Sequence, residues 1–417
     1  MRKSNMILTA LVLVALILIG CTGGGGSTPQ TYFVYGKVTD GDGNGIPGVL
    51  LHFSSGFGVA ETDEDGKWSK GGLHGSVEIT LEKDGWFFEP KTVTKIEPDI
   101  HFVGEKLAPP GSIQAAIDAA QDGDVVTIAP GTYFENLNFK GKNITLTSVD
   151  PQDPDVVSAT IIDGGGSMYA AIVVQNVETE AVITGFTITN GNRGVVIRDS
   201  AVTLTHNVIK GNSGGGVDID SRLPCVIEYN TISENSCIFS GGGLRVQGGT
   251  HTITGNTVSE NLAGVNGGGL YFDGGTHTIT GNTVSENIAV DHGGGLIFFG
   301  GTHTITGNTV SENIAHYNGG GLYFDGGTHT ITENMFIKNS ADAGSYSPRG
   351  GGGIYIGSAT KAILMRNAFH LNTTKGKGGA VLVVGSAMIV DDEDKPLLYP
   401  DTLNEYMDNT PGNIVYQ

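Results

Sequence analysis

The chain has 417 residues, 67 of them glycine, with 16% charged residues and a formal net charge of −20. So acidic a chain excludes nucleic acid as a partner for its overall field, and polyanionic surfaces repel it unless a cation bridges them. Glycine at this density would read as disorder if it were scattered. It recurs at regular corners instead, as in an ordered repeat.

Met1-Arg2-Lys3 and the apolar run from Ile7 to Ile19 form a basic segment followed by a hydrophobic one, too short and too close to the N-terminus for a spanning helix of the mature chain. The run ends Leu18-Ile19-Gly20-Cys21, which resembles a bacterial lipobox. The resemblance implies a signal peptide over 1–20, cleavage before Cys21 and lipid on its sulfur, hence an extracytoplasmic, membrane-anchored lipoprotein. Thr22 stands where an aspartate is associated with inner-membrane retention, which favours the outer membrane or cell surface. Residues 21–31, rich in glycine, predict a flexible tether.

From 32 to 107 short alternating stretches are separated by D-G, G-N-G-I-P-G and D-E-D-G turns, the pattern of a small β-sandwich. Gly36 to Asp40, Gly45 to Val49, Thr62 to Gly66 and Lys83 to Trp86 resemble the G-x-V-x-D, G-x-P-x-x-G-V, T-D-x-x-G and K-x-G-W motifs of carboxypeptidase-regulatory-like modules. That resemblance implies a spacer or adhesive domain without catalysis. Asp40 to Gly45 imitate the start of a calcium loop, but Leu51 occupies the position of its bidentate glutamate, so a turn is predicted.

After Pro109-Pro110-Gly111, the residues Ile113, Ala116, Ile117 and Ala120 fall at i, i+3, i+4 and i+7. They predict an amphipathic helix over 112–121 with Ser112 as N-cap, laid over the open end of a solenoid. The solenoid itself is written in three near-identical phrases, GGGLRVQGGTHTITGNTVSENLAGVN and its successors, opening at Gly241, Gly267 and Gly293, so the period is 267−241 = 26 residues. Within each, apolar residues alternate with polar ones and GG, GN and N-x-A corners leave no room for a helix, so each unit is a few short strands stacked on the next. Asn256, Asn282, Asn308 and Asn334 then form one column and Asn261, Asn287, Asn313 and Asn339 another.

The I-Q-A-A-I-x-A-A-x-x-G-D-x-V-x-I-x-P-G-x-Y-x-E entry and the GGGLYF and ITGN coils resemble right-handed parallel β-helix proteins of the pectin-lyase-like group. The resemblance implies an all-β fold: a right-handed parallel β-helix over 111–390, preceded by the small sandwich, with 391–417 as a C-terminal cap. It does not fix function, because this fold carries lyases, hydrolases, esterases and adhesins.

On the GGG-x-x-x-x strand the outward positions hold Arg198, Asp218, Asp220, Arg245, Tyr271, Asp273, Phe299, Tyr323, Asp325 and Tyr355. Rings stack on pyranose faces while Asp and Arg bond hydroxyls, so the strip suits a polysaccharide or surface glycan, with Tyr271, Phe299, Tyr323, Asp325 and Tyr355 as ligand-binding candidates. A carbohydrate-binding or adhesive protein without catalysis is the first reading, acting as a monomer and needing no cofactor. The alternative is a polysaccharide lyase or glycoside hydrolase with Asp218, Asp220, Arg245 and Asp273 as catalytic candidates, since carboxylates two residues apart lie about 6.6–7 Å from each other; calcium enters only in the lyase version. Gly131, Tyr133 and Glu135 fit one pectin methylesterase signature whose partner motifs are missing. His251, His277, His303 and His329 share one coil position and predict a stacked ladder and no metal, because residues spaced by coils do not converge on one ion. Cys225 and Cys237 lie on opposite sides of one coil, open to a disulfide or to two buried thiols.

Overall fold

A computed structural model describes residues 31–41, 43–83, 86–95, 99–106, 112–166, 168–342, 350–390 and 404–417. The expected signal peptide, Cys21, the tether through residue 30 and residues 391–403 lie outside the described residues. The chain divides into two compact units.

The first unit is a sandwich of two four-stranded sheets. Tyr32–Thr39 runs antiparallel to Lys67–Leu73 and parallel to Ile100–Lys106, and Leu50–Phe53 sits between Gly58–Glu61 and Val77–Glu82. Alternation drives it: Val34 and Val38 are buried in the first strand and Val77 and Ile79 in the fifth, and Trp68 packs 6.0 Å from both Phe53 and Phe102. The motif residues do structural work. The buried Thr62 hydroxyl donates to the Ile46 carbonyl and accepts from the Val49 amide, tying two turns together. Gly36 passes so close to the next strand that a Cβ would meet the Ile100 carbonyl oxygen at 1.7 Å. The Asp40 carboxylate accepts from the amide and side chain of Asn44, which closes the predicted turn.

The second unit is a parallel β-helix. Three sheets of 11 strands run its length and a fourth of six runs along part of it. One coil shows the plan: Leu270–Asp273, Thr276–Thr280, Thr283–Ser285 and Ile288–Ala289 each pair in parallel with the same strand of the coils before and after. Inward residues fuse into one apolar core from Ile113 to Ile389, with Phe272, Phe298 and Phe324 stacked 4.7 and 5.2 Å apart. Each buried phenylalanine of this stack contributes about 1.5–3 kcal/mol.

Both predicted asparagine columns are present and longer than the repeats. One runs from Asn207 through Asn230, Asn256, Asn282, Asn308, Asn334 and Asn367 to Asn404, the other from Asn212 to Asn409. From the second member of each column onward, Oδ1 accepts both the backbone and side-chain N–H of the asparagine one coil earlier; Asn207 and Asn212 accept the Phe186 and Gly191 amides. Among the described residues a residue of positive φ precedes each corner asparagine, glycine at the first corner of some coils (Gly281, 64°) and glutamate at the second corner of some (Glu286, 58°).

The helix Ile113–Ala119 buries Ile113 and Ile117 against the first coil, with the Ser112 hydroxyl accepting from the Ala115 amide. Glu135, which matched an esterase signature, has a different job: its carboxylate accepts from the Ile113 and Gln114 amides and the Ser112 hydroxyl. The Gln114 side chain donates to the carbonyl and accepts from the amide of Asn138, replacing the missing strand neighbour there. Lys142 Nζ donates to the carbonyls of Ile117, Asp118 and Ala120 and so closes the helix's other end. At the far end, Glu405–Met407 and Ile414–Tyr416, within the segment read as a cap, add a final strand to two of the long sheets.

Candidate functional site

The outward strip lies on the sheet that begins at Leu137–Asn138 and ends at Ile414–Tyr416. Parallel register places Val196, Asp218, Arg245, Tyr271, Ile297, Tyr323 and Tyr355 in one row. Arg198, Asp220, Gln247, Asp273, Phe299 and Asp325 form the next. The expected juxtaposition of rings, carboxylates and arginine is therefore present, but its exposure differs from expectation.

Asp218 is the first correction. Predicted to be a solvent-facing partner of Asp220, it is fully buried. Arg193 and Arg198 reach its Oδ2 at 2.7 and 2.6 Å, and Arg245 reaches Oδ1 at 3.3 Å. Arg198 and Arg245 flank it on neighbouring coils, whereas Arg193 arrives from the corner before Val195–Arg198, where no strand pattern announces it. With both oxygens engaged by guanidinium groups, Asp218 is not free as a general acid, base or calcium ligand. Asp220 and Asp273 remain exposed. Among the described residues no group of three or more His, Cys, Asp or Glu is placed to hold a metal ion.

Replacing Asp218 with Ala leaves three guanidinium groups facing one another without their counter-ion. Full burial would make the loss about 3–5 kcal/mol. The arginine side chains are 25–35% exposed, and screening reduces the expected cost to about 2 kcal/mol. A urea-unfolding comparison of Asp218→Ala with the double variant Asp218→Ala/Arg193→Ala checks this, and the second substitution should recover part of the loss.

The aromatic candidates divide. Tyr323 and Tyr355 are buried, at 8% and 3% exposure, in an outer-face cluster with Ile297 and Leu382. Their rings stack 4.7 Å apart, and His292 stacks on Tyr323 at 4.9 Å. Identical neighbours one coil apart cover each other's faces, so the ring–ring contact occupies the surface a sugar would use. Tyr271 and Phe299 are half-buried, 5.6 Å apart, and the Arg245 guanidinium lies 6.0 Å from the Tyr271 ring. Burial, and then neighbouring Asp273, pushes the Tyr271 phenol up, keeping it a neutral hydrogen-bond donor. Asp325 is exposed at the end of its strand.

Cys225 and Cys237 are free and buried. The disulfide alternative is thereby set aside: the two residues belong to different sheets, Cys225 beside Val202 and Cys237 beside Ala263. The Cys225 Sγ lies 3.4 Å from the Ser200 carbonyl oxygen, and burial pushes its thiol up to about 11, which leaves it unreactive.

The histidine column is a ladder of neutral rings. His251, His277, His303 and His329 are buried, with centroids 5.2, 4.9 and 5.2 Å apart and nearly parallel planes. Nε2 of His277, His303 and His329 lies within 3.1 Å of the carbonyl of the glycine three residues earlier, so Nε2 carries the proton there. Cys225 heads the column, its amide donating to His251 Nδ1.

Parallel sheets of this length with inward apolar columns define the class, a β-solenoid with a mixed, partly buried outer strip. The chain belongs to the right-handed β-helix family: the model of the "right handed beta helix region" matches residues 132–310 and 225–394, more than half of the chain. A comparison with curated proteins gives no match.

Proposed function

We propose that this is a lipid-anchored, extracytoplasmic β-helix protein that binds polysaccharide through its outer strip without turning it over. One observation carries the reading. Arg193, Arg198 and Arg245 surround a single carboxylate beside the half-buried rings of Tyr271 and Phe299. A guanidinium has five N–H donors, and Asp218 engages only some of those on the three arginines, so donors remain for a ligand beside the exposed Asp220 and Asp273. Within a chain of net charge −20, such a spot selects a glycan bearing carboxylate or sulfate groups, held close by arginine and oriented by ring stacking. The carboxypeptidase-regulatory-like reading of the first unit makes it a spacer between the lipid on Cys21 and the β-helix.

Titration of acidic and neutral polysaccharides against the full chain tests this. Acidic chains are expected to bind, and Arg245→Ala and Tyr271→Ala each to weaken them about tenfold, the loss of one charge-assisted contact or one stacked ring. Equal affinity for neutral and acidic chains, or binding unchanged in both variants, removes the strip from the proposal. The same mixtures, with and without calcium, report turnover. Product that disappears in Asp220→Ala returns the lyase or hydrolase reading.

A further inference from the structure

The strand THTIT presents a second face that the strip does not use. In Thr250–Thr254, Thr276–Thr280, Thr302–Thr306 and Gly327–Thr332 the inward residues are histidine and isoleucine, and every outward residue is threonine. The pairing is in register through all four coils: Thr252 lies beside Thr278, Thr304 and Thr330, with Thr250 and Thr254 heading parallel rows. The result is an array of three threonines on each of four coils, with no charged residue inside it. Val226 and Glu228 bound it on one side, and Lys361, Ile363 and Met365 on the other. Uniformity is shared with other positions of the repeat, such as Thr257, Thr283 and Thr309; what distinguishes this face is three threonines on every coil with no charge among them.

The array has two repeat distances, about 4.7–4.9 Å between coils and about 6.6–6.8 Å between alternate residues of one strand. Ice offers a similar pair. Tetrahedral oxygens joined by hydrogen bonds of about 2.75 Å have next-nearest neighbours about 4.5 Å apart and a layer repeat of about 7.3 Å. Across four coils and three threonines the mismatch accumulates to about 1 Å in each direction, well under half a repeat. Thr306 and Thr332 share a hydrogen bond between their hydroxyls at 3.0 Å; the other threonines each offer a hydroxyl to a water lattice and a methyl that cannot disrupt it, and absence of charge avoids the strong local orientation of water that ions impose. The face is also held rigid, because the histidines and isoleucines beneath are buried and stacked. Water ordered on it loses little further entropy on joining a crystal.

We infer that the threonine face of coils 250–332 binds ice. The inference is independent of the glycan strip, which lies on a different sheet. Partition of the full chain into a slowly grown ice hemisphere, and inhibition of ice recrystallisation, test it at micromolar protein. Wild-type protein is expected to enter the ice and slow recrystallisation. Thr278→Lys/Thr304→Lys, which places two charges at the centre of the face, is expected to lose at least tenfold of that activity while keeping its urea-unfolding midpoint. Glu260→Lys, an exposed charge change at a corner away from the face, should behave as wild type. Exclusion of the wild-type protein from ice, or equal activity in the double lysine variant, overturns the inference; so does adsorption of the wild type to a crystalline polysaccharide but not to ice.

Discussion

Acidification below about pH 6.5 is expected to destabilise the β-helix steeply, through the histidine column. Burial holds His277 at about 4, His303 at about 3 and His329 at about 4, and for His277 and His303 the neighbouring rings of the column lower the value further. An unfolded chain takes up protons at the ordinary value near 6.5, whereas the folded column refuses them until the pH falls to 3–4. Folding is therefore unopposed above 6.5, and stability drops progressively between 6.5 and 4 as the unfolded state binds more protons. Each such histidine contributes a slope of about 1.4 kcal/mol per pH unit, so three together approach about 4 kcal/mol per unit. The rings face one another and Phe272, Phe298 and Phe324, and their ring nitrogens meet backbone groups, with no carboxylate among those contacts to offset the charge. Urea midpoints at pH 7.5, 6 and 5 measure the effect. A midpoint independent of pH over that range would show the rings to be hydrated or already charged. In His277→Phe/His303→Phe the slope should shrink by about two-thirds, because two of the three strongly shifted groups are gone.

Loss of one ladder asparagine is the second large effect. Asn282 Oδ1 accepts the amide and the side-chain N–H of Asn256, and its Nδ2 faces the Ile253 carbonyl and Asn308 Oδ1. Asn282→Ala removes these partners inside a buried column and leaves several polar groups unsatisfied. At about 1–3 kcal/mol for each group that no water reaches, the expected cost is about 3–5 kcal/mol. Asn282→Asp keeps the acceptor, loses the donor and buries a charge, so it should be at least as harmful at neutral pH and recover partly in acid, where a neutral carboxyl donates again. The exposed Thr283→Ala serves as reference, expected within about 0.5 kcal/mol of wild type. Because each coil contacts only its neighbours, amide hydrogen exchange should quicken first in the coils on either side of the substitution. Uniform loss of protection along the whole rod would contradict that local picture.

Much of the molecule is legible from residue order because the repeat is short and strict. A glycine-rich phrase of constant length places Asn256 over Asn282 and Tyr271 beside Arg245 before any coordinate is known, and the structure has both. The row and face of every strip residue follow from period-two alternation. Its exposure does not. Asp218 reads as a surface carboxylate because its neighbours along the strand say only that it points outward; Arg193, in a corner without pattern, closes on it together with Arg198 and Arg245. Tyr323 and Tyr355 read as open rings because sequence records each coil separately, and burial arises only when identical rings close over one another. Glu135 resembles part of an enzyme signature, yet three hydrogen bonds make it the anchor of the capping helix.

Sequence by itself determined the solenoid, its register and which face each side chain takes, since these depend on local periodicity repeated at fixed length. Only the tertiary structure decided which outward groups remain reachable, which cysteines stay apart and which carboxylate is spoken for. Those outcomes depend on distances between corners and coils, and such distances are set by packing among residues far apart in the chain.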